Sequence, residues 1–168
     1  LANGPSINKT DLNILKGKYV MCMNRFYIKF KDLDFTPTYL VCIEETVLDQ
    51  FSQDFSKLAV PTFVNWRTRY KIPGVHYLKE SFNISPFFQP DITKPANTGG
   101  TVTFMCLQLA YYMGFEKVVI LGMDHSFKET GTAAKAEIRT QEKDESHFDP
   151  NYFPKGMKWV IPDLQKSE

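Results

Sequence analysis

The chain has 168 residues, 43% hydrophobic and 14% aromatic, with 20 Lys and Arg against 19 Asp and Glu, a balance that fits one folded domain and excludes a disordered tail or a fibre. A chain of this size hides roughly two-thirds of its unfolded surface and needs no disulfide or metal staple. The formal net charge of +1 removes the electrostatic case for a dedicated nucleic-acid or membrane-surface binder, and no apolar stretch nears the ~20 residues of a membrane span.

Leu1-Ala2 reads as the last step of a strand that feeds the turn residues Asn3-Gly4-Pro5-Ser6, which points to a piece of a longer protein. Thr10 and Asp11 offer an N-cap for a short helix through Leu15, and Gly17 is placed to stop it. Residues 19–23 read as a buried strand ending at Asn24-Arg25. Residues 38–43, β-branched and aromatic after Pro37, form a second strand. Val47, Leu48, Phe51 and Phe55 then give 44–55 helical spacing.

Residues 61–66 and 75–78 are further short strands, and 83–97, carrying Pro86, Pro90 and Pro95, is a long irregular loop of the kind that often binds ligands. After Thr98-Gly99-Gly100, residues 101–113 are apolar on almost every side and predict a core helix capped by Gly114. The apolar run 117–121 predicts a strand buried on both faces of a parallel sheet, ending at Gly122-Met123-Asp124-His125-Ser126. Beyond Lys128 the text turns polar, with 133–142 helical and the aromatic, Pro-rich 148–162 packing as an ordered lid or arm.

Strands alternating with helices predict an α/β fold: a Rossmann-like, doubly wound, mainly parallel sheet in a single domain over 1–168, with 128–168 as the lid or arm. Cys22, Cys42 and Cys106 are odd in number, widely spaced and set among apolar neighbours. They read as small buried hydrophobes in a reducing compartment, which, with no secretory leader at the start, gives a cytoplasmic expectation. No Cys-x-x-Cys pair is present, so neither a zinc ribbon nor a dithiol site is expected, and no residue is assigned to a metal.

Ligands of open parallel sheets lie beyond the carboxyl ends of the strands. Four sets stand there: Asn3-Gly4-Pro5-Ser6, Asn24-Arg25, Thr98-Gly99-Gly100-Thr101 and Asp124-His125-Ser126. Small residues and Asn approach a phosphate or sugar closely and add no negative charge. Gly99-Gly100 before a helix suits an anion through exposed amides and the helix dipole, and equally suits an ordinary tight turn. The dinucleotide and phosphate-loop glycine fingerprints are both absent.

Among the histidines, His76 lies in a strand pattern and reads as structural. His125, at a strand end, is a catalytic candidate or a tie for its turn. His147 sits in a polar segment that folds over a site, and an ordinary pKa of about 6.5 suits a general base. Asp124 has several roles open to it: orienting a histidine, binding a sugar hydroxyl, holding a metal or capping the next turn. Asp54, Asp91, Asp144 and Asp149 have no spacing that favours a carboxylate pair. Tyr111, Tyr112, Trp66, Trp159 and the phenylalanines read as core.

Asn3-Gly4-Pro5-Ser6-Ile7, the run from Tyr19 to Asn24-Arg25-Phe26-Tyr27, and Gly99-Gly100-Thr101 through Leu109-Ala110-Tyr111, Gly114-Phe115, Val118 to Gly122 and Asp124 together resemble one superfamily. It joins 6-hydroxymethylpterin diphosphokinase-like proteins, which include flagellin-glycosylation accessory factors, with bacterial sialyltransferases that use a CMP-activated sugar. The resemblance implies a Rossmann-like fold binding a nucleotide or nucleotide-sugar. Asn3 and Asn24 match its nucleotide and phosphate contacts, and the turn from Thr98 to Thr101 matches the loop that approaches nucleotide and donor sugar.

Ser146-His147 is similar to the Ser-His step that supplies the sialyltransferase general base. Where those enzymes carry a tyrosine after the Gly-x-Asp turn, this sequence has His125-Ser126-Phe127, which resembles the diphosphokinase-like branch. The expectation is thus a nucleotide-sugar-dependent glycosyltransferase acting on a surface glycan. The alternatives are pyrophosphoryl transfer from ATP to a pterin, which needs Mg²⁺, and nucleotide binding without catalysis. Oligomerisation is left open.

Overall fold

The structure, a computed structural model, describes residues 1–81, 83, 85, 87–126 and 135–161. Its centre is a four-stranded parallel sheet in the order β1 (Met21–Met23), β2 (Tyr39–Cys42), β3 (Thr62–Asn65) and β4 (His76–Leu78). Cys22 pairs with Leu40, Val41 with Phe63, and Val64 with Tyr77. Helix α1 (Glu45–Phe55) follows β2, and Glu44 starts it by accepting the Thr46 amide at 3.1 Å. Helix α2 (Val102–Tyr112) begins at Thr101, whose hydroxyl accepts the Phe104 amide at 3.2 Å.

Alternation along the strands sets which helix covers which face. Leu40 and Cys42 pack with Cys22, Val64 and the α1 residues Val47 and Leu48. Val41, between them, packs with Met23 and the α2 residues Met105 and Leu109. The two helices therefore lie on opposite faces of the sheet. All three cysteines are buried, and burial pushes the Cys22 and Cys106 thiols up to about 12, so at neutral pH they are packing groups and not nucleophiles.

Elsewhere the structure departs from the sequence reading. Residues 117–121 are extended, but the stretch tied to the N-terminal segment is Leu121-Gly122, which accepts the Ala2 and Gly4 amides at 2.8 Å each. Val118 and Val119 extend past that ladder and Val119 is 71% exposed, so this run is no strand buried on both faces. An apolar run is enclosed only where neighbouring backbone and a covering helix reach it. Tyr111, Tyr112 and Trp66 are likewise exposed, whereas Trp159 is buried. The segment after Asn24, given no element by its sequence, is 3-10 helical over Asn24–Asp32 with a kink at Arg25.

The expected helix over 133–142 is a strand in its described part. β5 (Ala136–Ile138) pairs antiparallel with β6 (Lys158–Val160), a partner about twenty residues downstream that local propensity does not register. Positions 133–134 lie outside the described residues, as do Phe127 and Lys128. The hairpin docks on α1 through Gln50, whose side-chain amide donates to the Lys158 carbonyl at 2.6 Å while its Oε1 accepts the Lys158 amide at 2.9 Å. Among the described residues no helix is long and apolar enough to cross a membrane.

Candidate functional site

A cleft of about 640 Å³ runs along the carboxyl ends of the parallel strands. Asn24 lines it just past β1, Ile43 and Glu44 past β2, Asn65 and Arg67 at and past the end of β3, and Glu80 past β4. The Ala2–Gly4 loop, Thr98 with Gly100 to Thr103, and Gly122 to Ser126 form its other walls. Ser146, His147, Tyr152, Phe153 and Trp159, all from the C-terminal hairpin region, close it from above. The structure thus brings Asn3, Gly4, Asn24, Thr98, Gly100, Thr101, Asp124, His125, Ser126 and His147 to one cavity.

Asn24 holds the left-handed φ of 47°, a conformation that Asn tolerates better than most residues. The Oδ1 atoms of Asn3 and Asn24 are buried and have no hydrogen-bond partner among the described residues. A buried acceptor left unpaired costs about 1–3 kcal/mol, so a ligand hydroxyl or amino group that donates there recovers it.

Ser6 and Asp124 do not reach outward. The Ser6 amide donates to Asp124 Oδ2 at 2.7 Å, and its hydroxyl donates to Oδ1. Of the roles open to Asp124, tying two strand-end loops together is the one its oxygens take up. His125, next in the chain, adopts φ 49°.

The Thr98 to Thr101 turn is shaped by two glycines, Gly99 at φ 56° and Gly100 at φ 81°. Asn97 Oδ1 accepts the Gly99 amide at 2.8 Å. Gly99 does not line the cleft; it faces Phe104, whose ring would lie 2.6 Å from a Cβ added there. Thr101 caps α2 and leaves the Val102 and Thr103 amides, both at the cleft wall, without an intrahelical acceptor. Such amides and the helix dipole favour an anion.

Arg25, read from sequence as a phosphate contact, is buried with its guanidinium 3.7 Å over the Phe51 ring and is not part of the cleft wall. The 3-10 kink turns it inward, where its Nε donates to the Tyr27 hydroxyl at 3.4 Å. At the far end of the cleft, Arg67 pairs with Glu45 at 3.1 Å and Glu80 at 3.6 Å.

The hairpin region is fastened directly to the phosphate-side loops. The Phe148 amide donates to the Asn3 carbonyl at 2.9 Å, Asn8 Nδ2 donates to the Phe148 carbonyl at 2.6 Å, and the Arg25 amide donates to the Tyr152 hydroxyl at 3.0 Å. The His147 ring stacks on Tyr152 at 4.1 Å, and its Nδ1 lies 2.9 Å from Asp144 Oδ2. Burial pushes the Asp144 carboxyl up, but the His147 ring, Arg139 and the Ser146 amide outweigh it and hold the group below the usual carboxylate range. Sequence reasoning missed Asp144 because it sought carboxylate pairs; the usable signal was an Asp three residues before a His in a turn-rich segment.

Over residues 1–130 the chain matches the family described as 6-hydroxymethylpterin diphosphokinase MptE-like, and it belongs to that family. No curated protein and no solved structure matches it. The matched stretch holds every cleft wall built from the parallel sheet and ends before Asp144 and His147.

Proposed function

Starting from that membership, we propose that the chain is a nucleotide-dependent transferase of Rossmann-like, doubly wound architecture that moves a glycosyl group from a nucleotide-sugar to a hydroxyl of a surface glycan. The observation that carries this reading is the placement of His147, held by a buried carboxylate, in the same cleft as the Asn3, Asn24 and α2 N-terminal amides. His147 takes the acceptor hydroxyl proton as that oxygen attacks the anomeric carbon. The bond from that carbon to the nucleotide phosphate oxygen breaks, and the phosphate leaves with the electron pair.

Neutral amides and a helix dipole suit a leaving nucleotide of low charge. Glu44, Glu45, Glu80 and Asp124 at the walls disfavour a bare triphosphate. The family description supports a second reading, pyrophosphoryl transfer from ATP to a hydroxymethylpterin, in which the same histidine serves the acceptor hydroxyl. Among the described residues no three His, Cys, Asp or Glu side chains stand together as metal ligands, and Asp124 is committed to Ser6. Mg²⁺ would therefore enter on the substrate phosphates.

A thermal-shift panel of CMP, CDP, UDP and GDP against ATP with Mg²⁺ tests the reading, since a ligand at 100 times its Kd adds about 2.7 kcal/mol. Stabilisation by a cytidine, uridine or guanosine nucleotide without Mg²⁺ supports glycosyl transfer. Stabilisation by ATP with Mg²⁺ alone moves the assignment to the second reading, and none at all removes nucleotide binding. In the transfer assay His147→Ala lowers the rate by roughly 10² to 10⁴ and leaves donor affinity intact. Full activity there with loss in His125→Ala transfers the role to His125.

A further inference from the structure

We propose that Asp144 is the positioning residue for His147, fixing both the direction of its ring and the nitrogen that carries its proton. The inference rests on the reading of His147 as the base. Asp144 lies within the hairpin, with a fully buried carboxylate. Its Oδ1 accepts the Ser146 amide at 3.0 Å and the His147 amide at 3.1 Å, which closes the turn and aims the carboxylate at the ring of the same residue. Its Oδ2 lies 2.9 Å from Nδ1.

A carboxylate only accepts, so Nδ1 must carry the hydrogen in the neutral ring. Nε2 is then the basic nitrogen, on the opposite side of the ring from Asp144. Tyr152 prevents rotation by stacking on one face at 4.1 Å with planes 2° apart, and Phe153 meets the ring edge-on at 5.4 Å. The charged groups nearby are Arg139, 3.9 Å from Asp144 Oδ1, and Arg25, on Tyr152 at 5.6 Å from that ring's centroid. Arg139 offsets the carboxylate's charge without replacing the histidine as its partner.

The substitution Asp144→Asn has a specific consequence. The two backbone amides keep the side-chain oxygen in the Oδ1 position, which puts the new NH₂ group where Oδ2 faced Nδ1. That group donates, so Nδ1 must present its lone pair and the proton moves to Nε2. The ring stays in place with the wrong nitrogen protonated.

The experiment is nitrogen NMR of the full chain labelled with ¹⁵N-histidine, with His147→Ala assigning the signal. Parent protein above its histidine titration is expected to show Nδ1–H at His147. Asp144→Asn is expected to shift the ring to Nε2–H and to lower its pKa, because a facing negative charge is gone. In the transfer assay it lowers kcat by no more than the base itself is worth, roughly 10² to 10⁴, with the donor KM unchanged. Asp144→Glu, which keeps the charge and the acceptor, restores part of the rate.

Nε2–H already dominant in the parent protein overturns the proposal whether or not any variant folds, and so does an unchanged tautomer and titration in a folded Asp144→Asn. Full transfer by His147→Ala sinks the base reading instead, and leaves the tautomer result intact as a structural one.

Discussion

Gly4 and Asp124 approach so closely that a Cβ on Gly4 would sit 2.5 Å from Asp124 Cγ and 2.6 Å from the Gly122 carbonyl oxygen. Gly4 has φ −69° and ψ 157°, conformations open to any residue, so space and not backbone freedom requires glycine. This contact sets two strand-end loops against each other and lets the Ser6 amide and hydroxyl reach the Asp124 carboxylate. Gly4→Ala is expected to cost about 1–3 kcal/mol in urea denaturation, as overpacking does, and to weaken nucleotide binding by spreading the cleft. Asp124→Ala relieves part of that clash, so the double variant should lose less than the sum of the singles. Strict additivity would mean that the two loops do not share this contact.

The elements legible in the sequence are those whose signals are local. Glu44 before α1, Thr101 before α2 and the β-branched run into Cys42 each declare themselves through a cap or a pattern within a few residues. The candidate site was legible for a related reason: parallel strands deliver whatever follows them to one edge, so Asn24, Asp124 and His125 meet without any motif joining them. What failed depended on distant partners. The pairing of β5 needs β6, Arg25 is turned inward by a kink and received by Phe51, and Val119 shows that an apolar run is no guarantee of cover. Asp144 was overlooked because its partner is a histidine in its own turn.

Thr101 ties the stability of α2 to the cleft. Its hydroxyl satisfies the Phe104 amide and fixes the first turn, whose preceding amides face the site. Thr101→Val keeps the shape and loses the acceptor, which should cost about 1 kcal/mol of stability. Nucleotide affinity should fall with it, because a fraying first turn no longer aims Val102 and Thr103. Thr101→Ser retains the cap and should behave like the parent in both denaturation and calorimetry. Equal losses in the serine and valine variants would show that the methyl group, and not the cap, is what matters at this position.

The last prediction concerns acid. Burial raises the Asp144 pKa, yet His147, Arg139 and the Ser146 amide together leave it below its ordinary value. The folded chain therefore holds this proton less tightly than the unfolded one. By linkage the carboxylate contributes stability that is present above the unfolded pKa of about 3.9 and is lost as pH falls through the lower folded value. Comparing the parent with Asp144→Asn by urea denaturation isolates the effect. The stability gap between them should be largest near pH 7 and should shrink at about pH 3 and below, where the parent's carboxyl becomes neutral as well. Trp159 in β6 reports the hairpin directly if Trp66→Phe removes the other tryptophan; its fluorescence should then show the hairpin loosening in acid in the parent. A gap that stays constant down to the acid limit would mean that the Asp144 charge does not hold this segment, and that its hydrogen bonds alone do.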